Sequence, residues 1–126
     1  MKTNVGVWID HRKAVIVSLR DKEEEIREVS SGMEKHVRYS GRATEGSGED
    51  QRDMRFAGHL HKYYETIVSC IRDADAILIL GPGEAKGELR TCLEGEALGG
   101  RIVGIATVDK MTEHQIAAKV RQHFSQ

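Results

Sequence analysis

Residues 76–80 read Ala-Ile-Leu-Ile-Leu, an unbroken apolar run that stops at Gly81-Pro82-Gly83. A short run of this kind, bounded by glycine and proline, predicts a strand buried on both faces in a parallel arrangement. A strand with no polar side needs one layer of structure above it and another below. The chain is therefore expected to place helices on the faces of a sheet, in the α/β class.

The flanking sequence supplies the other elements. Residues 4–10 alternate, with Val5, Val7 and Ile9 on one face, as strand spacing requires. Residues 13–20 are rich in β-branched side chains and follow a turn at Asp10-His11-Arg12. A more polar strand at 23–30 follows a turn at Asp21-Lys22. Connections this short predict an antiparallel meander. Residues 31–50 then carry four glycines and four serines or threonines with no sustained apolar period. A connection of that length inside a compact domain is usually functional or disordered, so a flexible glycine-rich loop is expected there.

From about 50 to 72 the period becomes helical. Met54, Ala57, Leu60, Tyr64, Ile67, Val68 and Ile71 recur at steps of about three and four. A helix at about 84–95 follows the Gly-Pro-Gly turn, and 101–108 reads as a second buried strand. A last helix at about 112–124 opens on the capping-box pattern Thr112-Glu113-His114-Gln115. The order β-β-β-α-β-α-β-α predicts one domain over 1–126, a five-stranded mixed sheet with helices packed on its faces. That is the element order of ribonuclease-H-like folds.

Charge and apolar patterning narrow the function classes. A formal net charge of −1 gives no bulk attraction to nucleic acid, so any RNA-binding surface must be a local patch. No apolar run approaches the roughly 20 residues needed to cross a bilayer. The start MKTNVGVWID lacks a signal peptide's apolar core, and a cytoplasmic protein with no membrane partner is expected. Cys70 and Cys92 form no CxxC pair and read as reduced, structural thiols.

Ribonuclease-H-type chemistry uses metal ions held by carboxylates converging from strands and helix. Asp10 ends the first strand, and Asp50, Asp53 and Glu65 lie on or near the first helix. The strand 76–80 ends with no carboxylate, so the set is incomplete and Asp10 reads as a turn residue. Gly81 to Gly87 lacks the spacing of a phosphate-binding loop and the hydroxyl after its lysine. A helix N-terminus there could still favour an anion, with Lys86 assisting and Glu84 opposing. The six histidines have no chelating spacing, and neither a metal nor another cofactor is expected. The more informative pattern is basic: Arg52, Arg55, His59 and Lys62 step by three, four and three along one helix face. The preceding loop adds Arg38 and Arg42. A Gly-Arg loop feeding a basic helix face is suited to RNA backbone. An ordinary solvated face has the same composition.

Three segments occur in order: VGVWIDHRKAVIVSL (5–19), GEDQRDMRFAGHLHKYYETIVSCI (48–71) and AILILGPGEAKGELRTCL (76–93). Together they resemble the middle domain of the archaeal and eukaryotic peptide-chain release factors and of Pelota, to which small stand-alone bacterial proteins are related. The resemblance spans roughly residues 4–110. It implies a ribonuclease-H-like sheet and a partner among ribosome, tRNA and rRNA. Release factors carry Gly-Gly-Gln on the loop before the first helix, where it promotes peptidyl-tRNA hydrolysis. Here Gln51 follows Gly48-Glu49-Asp50, a departure that Pelota shares in lacking the motif. The expectation is a non-enzymatic, RNA- or ribosome-associated protein. Its contacts would come from Arg38, Arg42, Arg52, Arg55, His59, Lys62 and Lys86. The alternatives are a peptidyl-tRNA hydrolase using Gln51, a metal-dependent nuclease using Asp10, or a small homo-oligomeric interaction module without nucleic-acid binding.

Overall fold

The computed structural model describes residues 2–21, 23–31 and 61–125. Five strands form one sheet in the order β3-β2-β1-β4-β5. They are β1 (Thr3–Ile9), β2 (Lys13–Arg20), β3 (Glu23–Ser30), β4 (Ala76–Gly81) and β5 (Ile102–Thr107). Helix α1 covers 61–71 of the described residues, α2 is Ala85–Gly95 and α3 is Glu113–Phe124. The predicted α/β class and mixed five-stranded sheet are both present. Residues 50–60 of the expected first helix, with Met54, Ala57 and Leu60, lie outside the described residues, as does the expected flexible loop from 32 to 50.

The first three strands pair antiparallel, while β4 pairs parallel with β1 and β5 parallel with β4. β1 is thus central, with Val7 opposite both Ile16 of β2 and Ile79 of β4. Strand alternation splits the core into two layers. Val5, Val7, Ile9, Ile77 and Ile79 pack under α1 and α2 with Tyr63, Ile67, Ile71, Leu89 and Leu93. Trp8, Val15, Leu78 and Leu80 pack under α3 with Ile116, Ala117 and Val120. All six residues of β4 are buried, as its apolar run requires.

Two glycines let backbone come close. A Cβ on Gly6 would lie 2.2 Å from Val120 Cγ2, so α3 sits directly on β1 at that point. A Cβ on Gly81 would lie 2.3 Å from the Ile9 carbonyl oxygen. Gly81 therefore allows β1 and β4 to end side by side. The α3 capping box forms as its sequence predicts: Thr112 Oγ1 accepts the Gln115 N–H and Gln115 Oε1 accepts the Thr112 N–H.

One expectation is corrected. Residues 101–108 do not form a second strand buried on both faces. β5 is the outermost strand, its residues alternate between partly buried and exposed, and Val103 and Ile105 are exposed. Its apolar composition matches that of β4, but the sheet order leaves it at an edge, where the α2 side is only partly covered.

Candidate functional site

β1 and β4 run parallel, so their C-terminal ends lie together on one edge of the sheet. In open α/β sheets, that edge is where crevices for ligands arise. Here it is built from the β1–β2 turn, the Gly81-Pro82-Gly83 turn, the first described turn of α1 and the beginning of α2.

Asp10 makes the β1–β2 turn. Its Oδ1 accepts the N–H groups of Arg12 and Lys13, each at 2.8 Å, the local pairing that favours aspartate in turns. The turn also bonds the residue after β3 and helix α1. Ser31 donates its N–H to Arg12 O at 2.9 Å and its hydroxyl to His11 O at 2.7 Å. Tyr63, in the first described turn of α1, donates its hydroxyl to Asp10 O at 2.9 Å. Ser31 and the first described turn of α1 are thus both held by the β1–β2 turn.

A second set of bonds ties α1, α2 and the same turn to one carboxylate. Tyr64 donates its hydroxyl to Glu88 Oε1, and His11 Nε2 lies 2.8 Å from that oxygen. Burial pushes the Glu88 pKa up, but the bonds from Tyr64 and His11 outweigh it and hold the carboxyl below its ordinary value. The Tyr64 hydroxyl is pushed up by burial and by the Glu88 charge, so it stays a donor. Tyr63 is pushed up by burial and by Asp10. Burial and neighbouring carboxylates also raise the Cys92 thiol, which favours its neutral form.

Of the sequence-predicted contact residues, Lys62 and Lys86 are described, and both lie at this edge. Lys62 is exposed on the first described turn of α1. Lys86 lies in the first turn of α2 and donates from Nζ to Gly83 O at 2.5 Å. The Gly-Pro-Gly turn thus holds its own lysine. Arg38, Arg42, Arg52, Arg55 and His59 lie outside the described residues. Arg12, which sequence reasoning placed only in a turn, joins the edge as an exposed cation. The Tyr64–Glu88–His11 node was also missed. The available signal was a tyrosine within an apolar helix stripe, because a buried hydroxyl needs a partner.

Asp10 spends one carboxylate oxygen on backbone N–H groups, in keeping with its reading as a turn residue. Asp75, at the opposite end of β4, accepts the Thr3 N–H at 2.7 Å. No described helix is long and apolar enough to cross a membrane.

Neither a protein-family model nor a curated protein sequence matches the chain. Solved structures do match in fold. Pelota from Thermoplasma acidophilum superposes with a TM-score of 0.61 at 17% identity, over 96% of this chain and 32% of that one. An archaeal translation termination factor gives 0.56 at 12% identity, over 98% of this chain and 39% of that one. Pelota from Archaeoglobus fulgidus gives 0.54 at 14% identity, over 97% and 35%. The chain spans about a third of the length of the proteins it matches (32–39%), and across nearly all of its own length it has a Pelota- and release-factor-like fold.

Proposed function

We propose that this chain is a translation-related protein equivalent to the middle domain of the release-factor and Pelota family. In this reading it associates with the ribosome or with tRNA or rRNA and carries out no reaction of its own. The observation behind it is the fold likeness to Pelota and a translation termination factor over 96–98% of the chain. The sheet edge supports the same reading. Ser31 and Tyr63 bond the β1–β2 turn at the edge where Arg12, Lys62 and Lys86 sit, and the sequence between them holds Arg38, Arg42, Arg52, Arg55 and His59. Cations gathered at one edge bind phosphate backbone despite a net charge of −1. A non-enzymatic role follows from Glu49-Asp50 standing before Gln51, where release factors have Gly-Gly.

Titration of labelled tRNA, and co-sedimentation with ribosomes, over a salt series checks this. Binding should weaken as salt rises, and the combined variant Arg52→Glu, Arg55→Glu, Lys62→Glu should bind more weakly. Its log–log salt slope should be shallower by about 0.7–0.9 for each phosphate that is no longer neutralised. A variant that binds as the parent does, or a parent that binds neither probe, rules the reading out.

A further inference from the structure

The two edges of the sheet are unlike. β3 carries Glu23, Glu24, Glu25, Arg27 and Glu28 among its eight residues. Charge of that density on an edge strand opposes pairing with another chain. β5, Ile-Val-Gly-Ile-Ala-Thr, carries none. The described residues expose three large hydrophobic side chains, and two of them, Val103 at 52% and Ile105 at 37%, lie on β5. Val103 is the extra residue of a bulge against β4, between Ile102 opposite Ile77 and Gly104 opposite Leu78. On the α2 side, Ile105 and Thr107 line an open groove with Pro82, Lys86, Arg90 and Thr91. The outer backbone edge of β5 has no strand beside it among the described residues.

We propose that β5 is a self-association surface, pairing antiparallel with β5 of a second copy to join two five-stranded sheets about a two-fold axis near Gly104. Three arguments select a second copy. In this register Val103 faces Ile105 of the other copy, twice by symmetry, so one contact covers both exposed side chains. Antiparallel pairing also brings Arg101, just before the strand, diagonally toward Asp109 of the other copy, again twice. Parallel pairing would set like charges together. The Arg101 guanidinium uses Nη1 on the Arg72 and Ala74 carbonyls, which leaves other N–H groups free. The Asp109 carboxylate meets no partner among the described residues, since only its backbone carbonyl is engaged, by Trp8 Nε1. Finally, a net charge of −1 puts almost no repulsion between copies, whereas β3 of another copy would bury its charges against an uncharged strand. A six-residue edge is a small interface, so the dimer is concentration-dependent.

Sedimentation equilibrium of the full chain over a wide concentration range is the test. The mass should rise from 14.1 kDa toward twice that value. Ile105→Lys and Val103→Lys should each raise the dissociation constant by at least about tenfold, and Asp109→Lys should raise it less. Ile26→Lys on β3 should leave it unchanged, and circular dichroism should show every variant folded. A parent that stays monomeric overturns the proposal, because β5 is then covered by the chain's own residues or by none. It also fails if assembly runs beyond the dimer or survives both lysine variants, or if Ile26→Lys is the substitution that abolishes it.

Discussion

Glu88 is the residue on which most of the candidate site depends. Its carboxylate is shared by a tyrosine from α1 and a histidine from the β1–β2 turn, so one side chain fixes both rims of the edge. The carboxyl pKa is depressed in the fold, which sets the sign of a pH effect. The stabilisation is complete above the unfolded-state value, near 4.5, and is lost as pH falls through the lower folded-state value. Glu88 is 44% exposed, so solvent screens much of the effect and its size is below about 1 kcal/mol. Urea denaturation should therefore find Glu88→Gln less stable than the parent at pH 7, with the gap closing as pH falls below the ordinary glutamate value of 4.5. A gap that widens in acid would contradict the assignment of Glu88 as a charged acceptor.

Among the elements, α2 has the least comfortable ending. The Leu98 N–H bonds Leu93 O at 2.8 Å and the Ala97 N–H bonds Glu94 O at 3.2 Å, the paired pattern of a Schellman motif. That motif needs a left-handed residue, and Ala97 supplies it with φ of 62°. A Cβ in that region costs about 1 kcal/mol or more, and glycine removes the penalty at some cost in unfolded-state entropy. Ala97→Gly should stabilise the protein by about 0.5–1 kcal/mol, read as a higher urea midpoint with an unchanged slope. An equal or lower midpoint would mean that the turn is held by something other than this backbone geometry. The edge strands differ at the same scale, since similar polarity rules would have predicted charge on both and only β3 has it.

At the scale of the molecule, protection should follow position in the sheet. β1 and β4 are central and covered on both faces, whereas β3 is exposed along nearly its whole length. Native-state hydrogen exchange should find the slowest amides in β1 and β4, near the global unfolding limit, and much faster exchange in β3. Protection in β3 equal to that in β1 would mean that another layer covers it. The same architecture gathers the candidate site, because the parallel β1–β4 pair sends the turn after β1 and the start of α2 to one edge. His11 and Glu88 are 77 positions apart in the chain, and only that pairing makes them neighbours.

Local patterns determined what they control physically. The unbroken run 76–80 required cover on both faces, and the alternation at 4–10 and the β-branched run at 13–20 required strands. Thr112 and Gln115 marked a helix start because a cap bonds only within its own turn. Asp10 was legible as a turn residue for the same reason. Tertiary structure decided the rest. Ile102–Thr107 has the composition of a buried strand, yet its exposure depends on being last in the sheet order, a non-local property that no window of residues contains. The sequence could show that the Tyr64 hydroxyl needs a partner, but not that Glu88 and His11 meet it, since the three groups come from separate parts of the chain. Lys86 could be seen beside its turn, but its bond to Gly83 O depends on how the chain bends after β4. Periodicity and composition report which faces must be covered. Which residues meet there is settled by how the strands are ordered.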